Sequence, residues 1–222
     1  MINNNTIDIN NLQKYNHFIF DWNGTLLNDL WLAVDVIDKM LTNRGLQGMT
    51  IERYSEVFDF PVKDYYQNVG FDFNKESFEI VGTEFIVEYD KRQYECKLQP
   101  GAIELIENIY QKDIHLSILS AREQTMLEQN LKFYDIEHYF PVVSGLKDHY
   151  ANGKLESGLQ LIEAAHIPAS ETILIGDTLH DAEVAKEMGI DCILINSGHQ
   201  ALHRLRTAKI PVFNSLAQIF FE

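Results

Sequence analysis

Short apolar runs that end in small or polar residues, spaced by stretches of helical periodicity, limit the folds open to this chain. His17-Phe18-Ile19-Phe20 leads into Asp21, and Ile114–Ser120, Thr172–Asp177 and Ile190–Asn196 repeat the pattern. Phe140–Ser144 is a weaker instance. Runs this short, flanked by glycine turns, suit buried parallel strands. Between them lie helical stripes: Ile103, Ile106 and Ile109 after Pro100-Gly101; Met126, Leu127 and Leu131 within 123–133; Leu155, Leu159 and Ile162 within 154–165; Ala182, Ala185 and Met188 within 178–188. The alternation predicts an α/β fold with a doubly wound parallel sheet. Such sheets bind ligands beyond the carboxyl ends of their strands, where Asp21, Ser120 and Asp177 fall.

Residues 28–95 break the alternation. Leu30, Val34, Ile37 and Leu41 share a helix face, Thr50 suits a cap before Ile51, Pro61 suits the first turn of a helix ending near Gly70, and 74–89 reads as a fourth helix. No strong strand signal occurs there. The expected organisation is a sheet core of residues 1–27 and 96–222 that accepts a helical domain at 28–95. Residues 1–16 read as a polar lead-in.

Net charge bears on partners. The chain of 222 residues carries 18 Lys and Arg against 33 Asp and Glu, for −15. Such a surface repels nucleic-acid backbones and anionic membranes. An anionic substrate therefore needs local positive charge from a metal ion, a Lys or an Arg. Cys96 and Cys192 make neither a disulfide scaffold nor a zinc site and read as reduced, buried residues. The Asn-rich start lacks the pattern of a signal peptide, and no apolar run is long enough to span a membrane. The expectation is a cytoplasmic monomer or homodimer.

Four segments can carry chemistry, and each has a plainer reading. In Asp21-Trp22-Asn23-Gly24-Thr25, a carboxylate at a strand end is followed by a glycine turn and a hydroxyl able to donate to an oxyanion; Asp, Asn, Gly and Thr are also ordinary turn residues. Ser120-Ala121-Arg122 can seat an anion or simply cap a helix. Arg122 can reach substrate or pair with Glu123 or Glu128 on the surface, the preferred reading. Lys154, like its rival Lys147, is solvated unless it must neutralise a phosphate. Asp177 and Asp181, four apart at a strand end and helix start, fit a divalent cation such as Mg²⁺, or a helix cap.

In this order, the four segments resemble the haloacid dehalogenase superfamily, most of whose members are Mg²⁺-dependent phosphatases with a Rossmann-like core. The resemblance extends over nearly the whole chain after residue 16. The helical insert looks like that family's C1 cap, and Phe60-Pro61-Val62-Lys63-Asp64-Tyr65-Tyr66 is similar to phosphoglycolate-phosphatase-like members. The resemblance implies that Asp21 is a nucleophile forming an aspartyl-phosphate. Ser120 and Lys154 would hold the phosphoryl group, with Gly24, Thr25, Ala121 and Arg122 around the substrate. Asp21, Asp177 and the backbone carbonyl of Asn23 would ligate Mg²⁺, and Asp181 would support the metal waters or Lys154. The spacing to Asp177 favours Lys154 over Lys147. The implied substrate is a small phosphorylated metabolite.

Position 23 departs from the pattern. Family phosphatases carry an Asp there that protonates the leaving group and activates water; Asn23 can hydrogen-bond but cannot shuttle a proton. Losing such a group costs about 10²–10⁴-fold in rate. Good leaving groups, slow turnover, an engineered exchange, or a scaffold that binds phospho-ligands without turnover each account for it. The dehalogenase branch has Tyr there and the phosphonate-hydrolysing branch Ala with a cap lysine, and Asn23 matches neither. Trp22 is expected to pack under the cap, Phe58, Phe60, Tyr65 and Tyr66 to form cap core, His180 to lie on a helix surface, and His199, His203, Arg204 and Arg206 to form a solvated face or oligomer contact.

Overall fold

A computed structural model of the chain describes residues 9–146 and 153–219. After a 3₁₀ turn at Ile9–Lys14, the elements in chain order are β1 (His17–Phe20), β2 (Leu27–Asn28), α1 (Leu30–Asn43), α2 (Ile51–Val57), α3 (Val62–Val69) and α4 (Phe78–Asp90). Then come β3 (Lys97–Leu98), α5 (Ala102–Tyr110), β4 (His115–Glu123), α6 (Gln124–Phe133), β5 (Val142–Leu146) and α7 (Lys154–Ala165). The remainder is β6 (Thr172–Gly176), α8 (Leu179–Met188), β7 (Asp191–Ile195), α9 (Leu202–Leu205) and β8 (Val212–Phe213).

Six strands form one sheet in the order β5-β4-β1-β6-β7-β8, with parallel pairings throughout. The chain winds from β1 to β4 and β5 on one side, then crosses to β6, β7 and β8 on the other. The strand order therefore reverses at β1, the place where such sheets open a crevice for ligand. Phe20 pairs with Ile118 of β4 and Ile175 of β6, so the residues just past these three strands meet at that crevice.

Side-chain alternation explains the layering. Phe18 and Phe20 pack with Leu105 and Ile106 of α5 and Leu127 and Leu131 of α6. Ile19, on the opposite face of β1, packs with Leu161 of α7 and Val184 and Ala185 of α8. Each such apolar side chain contributes about 1.5–3 kcal/mol on full burial. The helices α1–α4 lie between β2 and β3, which pair antiparallel as a short ribbon. Thr50 caps α2 by accepting from the Arg53 amide, and Gly70 ends α3 at φ 117°. Cys96 and Cys192 are both buried and free.

Several expectations change. The fourth inserted helix begins at Phe78 rather than 74, because the Asp72 carboxylate accepts from the Asn74 amide and builds a turn there. β4 runs on through Ala121 and Arg122 to Glu123, whose carboxylate caps α6 by accepting from Thr125 and Met126. Ser120 is therefore not at a helix start. On α7 the buried positions are Lys154, Gly158 and Leu161, while Leu159 is 48% exposed. Gly158 lets the helix approach Met188 and Leu119 closely, and the face is turned so that Lys154 points inward. Trp22 is buried in one cluster with residues of the inserted helices, and its indole donates to Asn130 of α6.

Candidate active site

Asp21 extends from β1, and its amide donates to the Ile175 carbonyl of β6 at 2.9 Å. Asp177 follows β6, and Lys154 enters from the first turn of α7. The Lys154 ammonium, 3% exposed, donates to Asp21 Oδ1 at 2.7 Å and Asp181 Oδ1 at 2.6 Å. The sequence thus brings together Asp21, Asn23, Ser120, Ala121, Arg122, Lys154, Asp177 and Asp181 around one cavity. Lys147 lies outside the described residues.

The glycine and threonine of the first segment do different work from that expected. Gly24 sits at φ 75°, and a Cβ there would lie 2.2 Å from Asp177 Oδ2. Its amide donates to Asp29 at 2.7 Å. Thr25 is fully buried and donates its hydroxyl to Asp177 Oδ1 at 3.0 Å. The Gly24 amide and the Thr25 hydroxyl are thus engaged with Asp29 and Asp177. The other oxygen of Asp177 accepts from the His199 amide at 2.7 Å.

Arg122 faces inward, contrary to the preferred surface reading. It donates to Asp90 at 2.6 Å and Gln93 at 2.7 Å, and its guanidinium lies over the Tyr89 ring. It is a tie to the end of α4 as well as part of the cavity wall. Asp181 accepts from Lys154 through one oxygen, and from the amides of Asp177 and Thr178 and the Thr178 hydroxyl through the other. It orients Lys154 and the turn before α8. Ser120 is buried, and its Oγ accepts from the Arg122 amide at 3.2 Å.

Burial acts against three carboxylates in so small a space. It pushes Asp21 up to about 6 despite the Lys154 contact, and Asp177 up to about 7, with Asp181 adding repulsion to both. Lys154 and the donors of Thr178 outweigh burial at Asp181 and hold it below the usual carboxylate range. The two carboxylates keep Lys154 charged although burial opposes it. Oxygens of Asp21, Asp177 and Asp181 all lie within 4.8 Å of one another. Hard oxygen donors with more negative charge than one lysine neutralises fit a divalent cation of the Mg²⁺ kind.

A second buried network was not anticipated. Asp29, 1% exposed, accepts from Asn23 Nδ2 at 2.8 Å and the Tyr89 hydroxyl at 2.7 Å, and meets His199 Nε2 at 3.3 Å. Asn23 Nδ2 also donates to Tyr89 at 2.9 Å. Burial alone would raise Asp29, but His199 and these donors hold it low; Asp29 in turn lifts His199 to about 9. The second ring nitrogen of His199 meets the Tyr54 hydroxyl at 3.2 Å. Arg204 donates to the carbonyls of Ser55 and Phe58. His199 and Arg204 are therefore internal ties to the inserted helices, while His203 is exposed and meets Glu56 at 3.1 Å. His180 leaves the helix surface to stack on Phe60 at 4.6 Å, and Phe58, Phe60, Tyr65 and Tyr66 all line the cavity.

Residues 18–195 match the family model described as haloacid dehalogenase-like hydrolase. The chain belongs to that family. It is similar to pyrophosphatase PpaX of Listeria monocytogenes, at 32% identity over 108 residues, which are 46% of this chain and 43% of that protein. The chain thus matches less than half the length of that relative. A phosphoglycolate phosphatase of Pseudomonas fluorescens is 21% identical over 82% of this chain and 69% of its own. The solved structure of a haloacid dehalogenase-like protein from Streptococcus pneumoniae shares the fold, with a TM-score of 0.79 at 18% identity over 93% of this chain and 97% of that one. Among the described residues no helix is long and apolar enough to cross a membrane.

Proposed function

We propose that this haloacid dehalogenase-like chain is a Mg²⁺-dependent phosphoric monoester hydrolase that works through an aspartyl-phosphate on Asp21. The observation that carries this is the buried Lys154 ammonium held between Asp21 and Asp181 at the strand-order reversal. Asp21 attacks phosphorus as the nucleophile. Lys154 and the Ser120 hydroxyl hold phosphoryl oxygens, and Lys154 offsets the charge of an anion approaching an anion. Asp21, Asp177 and the Asn23 carbonyl would hold Mg²⁺, which when bound supplies further positive charge to the transferring group. Asp181 keeps Lys154 in place. The helices within 28–95 act as a cap that selects substrate and excludes water.

The phosphatase and pyrophosphatase names of the relatives support this reading, as does the donor set. A panel of phosphomonoesters assayed with and without Mg²⁺ tests it. Hydrolysis should require Mg²⁺ and fall to background in Asp21→Asn; equal rates in the variant would remove Asp21 from the mechanism. A second reading is favoured by Asn23, whose amide lies where a proton carrier would be useful. In it the chain binds phospho-ligands without turning them over. Mg²⁺-dependent binding of a phosphate mimic with no turnover of any ester would favour that reading.

A further inference from the structure

A cavity of about 750 Å³ stands over Asp21, within the range of roughly 300–1,000 Å³ that houses multi-ring or drug-sized ligands. Part of its wall is aromatic. Phe58 stacks on Tyr54 at 4.9 Å and meets Tyr65 edge-on at 5.3 Å, while Phe60 lies edge-on to Phe58 at 5.5 Å. Phe85 stacks on Tyr89 at 5.8 Å along the opposite helix. Tyr65 is 2% exposed, and its hydroxyl has no hydrogen-bond partner among the described residues.

The reacting end has its own limit. Asn23 lines the cavity beside Asp21, and its Nδ2 is taken by Asp29 and Tyr89. What the amide has left to offer is a carbonyl oxygen, which accepts hydrogen bonds and holds no proton to give. Asn23 therefore gives a leaving oxygen no proton, which favours esters whose oxygen departs readily as an anion. A phenol ionises near pH 10, whereas an aliphatic hydroxyl is close to water, at about 15.7. The aromatic wall and the proton-free amide select for the same chemistry.

We propose that the substrates are aryl phosphates, monoesters of a phenolic hydroxyl. This rests on the hydrolase reading above and narrows it. An Asp21 oxygen bonds to phosphorus as the phosphorus–phenol oxygen bond breaks, and that electron pair leaves with the phenolate. The phenolate takes a proton from water. Water then attacks phosphorus, the bond to Asp21 breaks and its electron pair returns to the carboxylate, the attacking water's proton neutralises the hydroxide left by the phenolate, and inorganic phosphate leaves, so one water is consumed per ester.

Four probes separate the two selecting features in the full chain with Mg²⁺. Phenyl phosphate has a ring and an acidic leaving group, and benzyl phosphate has the ring alone. Acetyl phosphate has the acidic leaving group alone, and glycerol phosphate has neither. Phenyl phosphate should exceed benzyl phosphate in kcat by about 10²-fold or more, the scale of a missing general acid. Its KM should lie about tenfold below that of acetyl phosphate, and Phe60→Ala should narrow this KM ratio. Benzyl phosphate turned over as fast as phenyl phosphate, or equal KM values for phenyl and acetyl phosphate, overturns the proposal. If acetyl phosphate is hydrolysed and phenyl phosphate is not, only the aryl assignment falls. If none of the four is hydrolysed, the hydrolase reading falls with it.

Discussion

The amide of Asn23 is fitted to its surroundings, since it donates to the buried Asp29 carboxylate and to Tyr89. A carboxylate in its place would face Asp29 across a 2.8 Å contact in a partly buried setting. Asn23→Asp should therefore lower stability by about 1–3 kcal/mol, the scale of a lost hydrogen bond to a charged group. The exchanged pair Asn23→Asp with Asp29→Asn should recover most of that loss. Urea unfolding measures both, and a single variant as stable as the parent would contradict the assigned network. At this scale the sequence exposes Asp21, Ser120, Lys154 and Asp177, because each lies at or near a strand end or opens a helix. Asp29 and His199 are 170 residues apart and meet only once the inserted helices are seated, so no local pattern marks them. Arg122 misleads for the same reason, since Asp90 and Gln93 come from the far end of the insertion.

The strands and helices are legible wherever periodicity is long. The four strong apolar runs become β1, β4, β6 and β7, and the helical stripes become α5 to α8. Two-residue pieces such as β2, β3 and β8 carry no readable period. On α7 the apolar stripe is right for Leu155 and Ile162, which pack against the core, but not for Leu159, because the most buried line runs through Lys154, Gly158 and Leu161. Leu161 is 2% exposed and Leu159 is 48% exposed. Leu161→Ala should cost about 2–5 kcal/mol, while Leu159→Ala should stay within about 0.5 kcal/mol. Thermal or urea unfolding of the pair decides it, and equal costs would mean that α7 is rotated from the described face.

Across the whole molecule, a chain of net charge −15 places one buried cation, Lys154, where three carboxylates converge. An acidic surface is compatible with the proposed anionic substrate where Lys154 and a bound divalent cation would supply local compensation. Asp21 and Asp177 keep protons in the fold up to about 6 and about 7, above their ordinary range. At these two carboxylates the fold binds more protons than the unfolded chain from about pH 4 to about pH 7, so they withdraw stability as pH rises through that window. Asp29 and Asp181, held low, act at lower pH. A divalent cation must displace the retained protons. Mg²⁺ should therefore raise the melting temperature more at pH 8 than at pH 5, and an equal shift at both would place its site elsewhere.

The phosphoryl-enzyme tests the central claim most directly. The full chain is mixed with acetyl phosphate and Mg²⁺, quenched in acid, and its peptides are weighed by mass spectrometry. The structure predicts one phosphoryl group on the peptide that carries Asp21, absent from Asp21→Asn. Steady hydrolysis with no adduct at Asp21, and an undiminished rate in Asp21→Asn, would contradict it.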